Sequence, residues 1–406
     1  MVGLAFLAFN IGLTVVVNTF GPVLPVLQRE LGASRAGVSM AFGLLMLTMG
    51  LLAPVVGNLT NKVKLRTMMM AGAAAMGLGF FLLAFARTLT EVILLYGVLL
   101  GPGACFLALI PSPTLISRWF QHDRGKALGL GLVQVLALVV APISAALLAS
   151  GGRPLLFLTI AAVFAVLVPV MGLVIDWPEQ VGQTPRRAPT AAPAGPTSAA
   201  PILSSRTIFT DGRFWLVSIA VGIFTAAGVT MGSHGPAMAV AKGISPGLAA
   251  TVLSGTGAGA LVGALGFGWM IDRIGPFRTL IVAMVFTALV WLLFSMVSTL
   301  PMMVLLAFFL GVNVGPTQTI HSACLNEIFG AASFGRAMGY SYFIKLPFLV
   351  APAPLAGRLF DLSGGYSSTY AVMVTAMVVA SALAFLLAVG QRRHVAAQAA
   401  PAPSLS

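Results

Sequence analysis

Charge is what this chain has least of. Asp, Glu, Lys and Arg make up 8% of 406 residues, about a third of the share usual in a soluble domain. That shortage, with a mean hydropathy of +1.02, excludes an ordinary soluble fold. Acidic residues number only 9, and none falls in the middle of an apolar run, so a proton relay built on an intramembrane carboxylate is not expected. Cys105 and Cys324 are the only 2 cysteines. Both sit in apolar runs, which excludes a disulfide framework or a cysteine-held metal. There is no phosphate-cradling glycine loop, no metal-ligand spacing and no nucleophile–base motif. No enzyme activity, no metal and no cofactor is therefore expected. No basic segment precedes the apolar run that opens at Val2, so that run is expected to stay as a span.

What remains is apolar, at 59% of the chain. Runs of about 20 such residues are the length of a bilayer crossing. The fold class is an all-α membrane protein with twelve spans, expected at 2–26, 36–57, 67–87, 92–116, 127–149, 154–175, 214–240, 247–271, 279–298, 302–326, 337–357 and 369–390. The 45 glycines and 25 prolines suit close helix packing and broken helices in lipid. Between the sixth and seventh spans, residues 176–213 centre on a Pro/Ala/Thr-rich stretch that reads as a flexible linker. The chain divides into a six-helix half at 1–175, the linker, a second half at 214–390 and a tail at 391–406. With both termini inside, fifteen of the 22 Lys and Arg lie on the inner side and six on the outer. This is the positive-inside bias. It accounts for much of the net charge of +13 without a nucleic-acid partner.

The two halves share one plan. Gly125-Lys126-Ala127-Leu128-Gly129 matches Gly335-Arg336-Ala337-Met338-Gly339 at an offset of 210, and Val140-Ala141-Pro142 matches Val350-Ala351-Pro352 without a gap. At that offset Lys345 falls opposite Val135. If span 11 enters the bilayer near Ala337, Lys345 lies roughly 12 Å deep, where a lysine costs about 2.5–3.5 kcal/mol. It is the candidate counter-charge for an anionic substrate. Two polar stripes are candidate partners for such a ligand. Asn10, Thr14 and Asn18 repeat at i, i+4, i+8 in span 1, and Asn313, Thr317 and His321 do so in span 10, with Gln318 beside them. Ser341 shares the lysine's helix face, and Tyr340 and Tyr342 flank it. Interhelical hydrogen bonding explains such stripes as well as ligand binding does. His234 and His321 are candidate proton carriers, their imidazoles titrating near neutrality.

Gly268, Asp272, Arg273 and Gly275 form a loop that resembles the G-x-x-x-D-R-x-G loop of the major facilitator superfamily. That resemblance, with twelve spans in two halves, covers nearly the whole chain. It implies that Asp272 and Arg273 act as a cytoplasmic gate. The first-half copy has Asn61 and Lys64 in place of the acid and the glycine, so its ion pair is expected to be weakened or absent. Ser117-Arg118-Trp119-Phe120, Ser233-His234-Gly235-Pro236 and Gly357-Arg358-Leu359-Phe360-Asp361 are similar to segments of the monocarboxylate transporter family. Lys345 matches the span 11 lysine of the related oxalate–formate antiporter. Ala264 stands where that family commonly has an arginine. The resemblance implies a secondary transporter of a small organic monoanion in a bacterial-type plasma membrane, both termini cytoplasmic. It would act as a monomer that moves its substrate with a proton or against a counter-anion. A proton-driven exporter of apolar or drug-like compounds and a non-transporting sensor or scaffold are the alternatives.

Overall fold

The computed structural model describes residues 1–33, 35–120, 123–183, 202–249 and 251–399, with the backbone alone at 35–36, 138, 141, 246–247 and 392–399. The low-complexity centre of the linker, with Arg186 and Arg187, lies outside the described residues, as do 400–406.

Among the described residues, twelve spanning helices follow one another. They are α1 Val2–Leu31, α2 Gly37–Leu59, α3 Leu65–Phe85, α4 Leu89–Trp119, α5 124–150, α6 153–171, α7 Gly212–Ala241, α8 Thr251–Ile274, α9 Pro276–Met296, α10 300–329, α11 331–363 and α12 Ser367–Ala399. Two of the hairpins between them are very tight. At Gly152 (φ 66°) and Gly330 (φ 67°) the backbone enters a region that residues with a Cβ avoid, and the chain reverses there within one or two residues.

Several spans expected to be continuous are interrupted. α5 breaks between Leu132 and Ala137. α10 breaks after Val314, at Gly315-Pro316, where proline removes a backbone donor. α11 bends at Ala351, ahead of Pro352. Wide π-helical turns occupy Asn10–Thr14 in α1 and Tyr96–Leu100 and Cys105–Leu109 in α4. Such turns favour functional sites, and broken backbone inside a membrane must find partners within the protein.

The halves meet at the end that carries the chain termini. There α5 crosses α8, and α2 crosses α11. A Cβ on Gly129 would run into the carbonyl oxygen of Ala264, and one on Gly268 into that of Gly125. The second crossing repeats the device, because a Cβ on Gly57 would strike Gly335 and one on Gly339 would strike Ala53. Among the described residues, the hydrogen bonds observed between the halves lie at this end. Asp272 accepts from the amides of Gly125 (2.8 Å) and Lys126 (3.0 Å), and Asn58 donates to Tyr340 (2.9 Å). The end of the linker adds a strap, with Leu203 donating to Ser333 (2.9 Å) and accepting from Arg336 (2.6 Å). The molecule is thus held shut at the termini-bearing face.

Candidate functional site

Lys345 lies ten residues along α11 from the Gly335 crossing, about 15 Å deeper. Its side chain is 3% exposed. Among the described residues no hydrogen bond or ion pair reaches its ammonium. What it has is the ring of Tyr342, with Nζ 4.5 Å from the centroid. A cation over an aromatic face gains about 2 kcal/mol or more when desolvated, much less than a carboxylate partner supplies.

Around this ammonium the fold assembles a layer from three helices. The Tyr342 hydroxyl donates to the side-chain carbonyl of Gln318 on α10. Ser341 lies 2.7 Å from His321 Nε2 and 2.7 Å from the hydroxyl of Ser218 on α7. The His321 and Tyr342 rings meet edge to face at 5.9 Å, and Nδ1 of His321 is buried with no protein partner among the described residues. Lys345, Ser341, Tyr342 and His321 therefore come together. Ser218 was not foreseen, because a lone serine in an apolar run carries no spacing signal.

The two stripes turn out differently. Asn10 is fully buried and its amide is spent on backbone. It donates to Val133 O (2.8 Å) and Phe6 O (3.1 Å) and accepts from Leu136 N (3.1 Å). Val133 and Leu136 lie in the break in α5, so Asn10 pairs groups that the break exposes. Asn18 donates to Thr14 O (2.8 Å), while the Thr14 hydroxyl is buried without a protein partner among the described residues. In α10, Asn313 donates to Phe309 O (2.7 Å) and Thr317 to Val314 O (2.5 Å), on either side of the Gly315-Pro316 break.

At the opposite end of α7, His234 bridges Ala353 O (2.9 Å) and the Tyr366 hydroxyl (3.1 Å). A carbonyl can only accept, so Nε2 carries the proton and Nδ1 accepts from tyrosine when the ring is neutral. Burial and the nearby Asp361 push the Tyr366 phenol up from its ordinary value. Lys242 donates to Phe294 O (2.6 Å), Ser295 O (3.0 Å) and Val297 O (2.5 Å). It caps the C-terminal end of α9, where a cation suits the helix dipole, and burial pulls its ammonium below the ordinary value.

At the closed face Asp272 and Arg273 are parted. Asp272 caps the start of α5 across the half boundary, whereas Arg273 turns back over Trp269, 5.2 Å from the ring centroid. The first half uses another pair there. Arg118 lies 3.3 Å from Asp176 and donates to Thr60 O (2.7 Å), and Asp176 accepts from Leu65 N (2.8 Å). The ends of α2, α3, α4 and the chain after α6 are tied together. Asn61 takes only a 3.5 Å contact from Arg118. Asp176 falls in the stretch read as linker, which is why sequence spacing did not disclose the pair.

Two six-helix bundles, shut at one face around a buried cation, have the architecture of a membrane transporter. The chain matches the Major Facilitator Superfamily over residues 2–238 and 225–405, and it belongs to that family. It is 25% identical over 359 residues to monocarboxylate transporter 12 of Mus musculus, covering 82% of this chain and 74% of that one. The Homo sapiens protein of that name is 27% identical, covering 82% and 69%. In fold it is similar to the transporter FucP in its outward conformation, with a TM-score of 0.70, 17% identity and coverage of 95% and 98%.

Proposed function

We propose that this protein is a secondary transporter of a small organic monoanion, with a monocarboxylate as the substrate class, and that Lys345 is its counter-charge. The observation that carries this reading is a lysine buried mid-span with an aromatic face beside it and no anion among the described residues. A buried charge is kept only where something pairs with it. A carboxylate supplies that pairing through a charge-assisted hydrogen bond, with Tyr342, Gln318, Ser341 and the α10 residues Asn313 and Thr317 shaping the space around it. Of the α1 stripe, Thr14 and Asn18 belong to the same wall, and Asn10 positions it. The two halves rock about this layer, opening one face as the other closes. Asp272 holds the inner face shut, and the Lys and Arg bias supports placing that face and both termini in the cytoplasm. The name shared by the relatives agrees with the substrate class. A cationic substrate would be repelled by Lys345.

The test is Lys345→Met. It removes a charge whose burial is costly, so the variant should insert and fold with unchanged or higher thermal stability. It should also lose all stabilisation by acetate, pyruvate, lactate and benzoate. Lys345→Arg keeps the charge with another donor geometry and retains part of the shift. A folded Lys345→Met that is still stabilised like the wild type would sink the assignment.

A further inference from the structure

The polar groups that the Lys345 layer leaves over fall on one line. Gln318, Ser322 and Asn326 are spaced i, i+4, i+8 on α10, hence on one helix face. They run about 12 Å from the level of Tyr342 toward the closed end. Ser322 is 0% and Asn326 2% exposed. Among the described residues, no protein partner reaches Gln318 Nε2, the Ser322 hydroxyl or either amide atom of Asn326. Ser112 on α4, at the 210-residue offset from Ser322, is likewise 0% exposed and without a partner, and so is Ser117. Nearly all buried polar groups in proteins are paired, so a run of exceptions along one face needs a cause. Placement supplies one. By depth along the helices, the run extends from the level of Tyr342 to that of the Gly335 crossing.

We propose that Gln318, Ser322 and Asn326 form a second, inner hydrogen-bonding subsite for the transported anion, sealed in this conformation and opened to the termini-bearing face in the other. The proposal rests on the reading of Lys345 as the anion's first contact. Amide N–H and hydroxyl groups donate to a carboxylate, but they lack the opposite full charge with which an ammonium also attracts it. The anion is therefore drawn from Lys345 into a weaker site from which it leaves. The cost of unpaired burial falls on the sealed state alone, so the same residues tilt the equilibrium toward opening.

With Cys105 and Cys324 replaced by alanine, Ser322→Cys and Asn326→Cys are probed in oriented vesicles with a membrane-impermeant maleimide. Both are expected to react from the termini-bearing face only, and faster during exchange of whichever panel monocarboxylate stabilises the wild type most. Asn326→Leu should keep the Lys345-dependent thermal shift while exchange slows at least about fivefold, the effect of roughly 1 kcal/mol on a two-state balance. Cysteines unreactive from both faces during exchange, or Asn326→Leu exchanging at the wild-type rate, overturn the inner subsite. A wild type with no Lys345-dependent shift for any panel acid overturns the first contact instead, which keeps the two failures apart.

Discussion

Asn10 shows how one side chain changes meaning between a sequence and a fold. In the chain it is a polar residue on an α1 stripe with Thr14 and Asn18. In the molecule its amide pairs Val133 O and Leu136 N across the α5 break. An unpaired buried backbone group costs about 1–3 kcal/mol, and Asn10→Leu strands two. We expect it to destabilise the protein by about 2–6 kcal/mol in detergent unfolding, the reverse of Lys345→Met, whose stability is unchanged or raised. Equal stability of Asn10→Leu and wild type would refute the clamp. The histidines are separable in the same way. His321 sits in the Lys345 layer, whereas His234 ties α7 to Ala353 and Tyr366. If either carries the coupled proton, His234→Gln with His321→Gln abolishes uptake driven by an inward pH gradient. Unchanged pH-driven accumulation excludes both as obligatory carriers.

The elements that decide conformation are the paired crossings α5–α8 and α2–α11. Each depends on backbones approaching so closely that a side chain on the glycine has no room. Packing of this kind is cooperative and either forms or does not, which makes it a switch. Gly129→Val would press its side chain on Ala264 and part the crossing. We expect this variant to expose the termini-bearing face to impermeant thiol reagents at a cysteine placed at position 326, while a reagent on the opposite face loses access to its own sites. Asp272→Asn keeps the acceptor shape but loses the charge that strengthens its bonds to the amides of Gly125 and Lys126. It should weaken closure in the same direction and by less. A Gly129→Val protein with wild-type accessibility on both faces would show that the crossing does not gate.

At the scale of the whole molecule the question is how many charges the substrate carries. Among the described residues, Lys345 is the one cation in the central layer. Ala264, where an arginine is common in the resembling family, lies buried at the α5–α8 crossing beside Gly129. A second carboxylate would be desolvated with no ammonium or guanidinium to meet it. Monoanions such as acetate, pyruvate or lactate should therefore compete for uptake into proteoliposomes at least tenfold better than oxalate or malonate, a difference of about 1.4 kcal/mol. Stronger competition by the dianions would reject the monoanion reading.

Spans, their number and the offset that pairs the halves were legible in the chain, because apolar length and repeated glycine-and-proline signatures are local properties that the bilayer reads directly. Lys345 was legible for the same reason, since a charge stands out against an apolar run wherever the run folds. Tertiary structure alone decided which polar residues are spent and which are free. The break in α5 decides that Asn10 is consumed, the meeting of α10 with α11 and α7 decides that His321, Ser341 and Ser218 share a network, and Arg118 finds Asp176 across 58 residues of chain. No spacing rule contains these outcomes, because hydrogen bonding is settled by whichever unpaired group lies within about 3 Å. The helix breaks and crossings that bring such groups near are properties of several helices packed together.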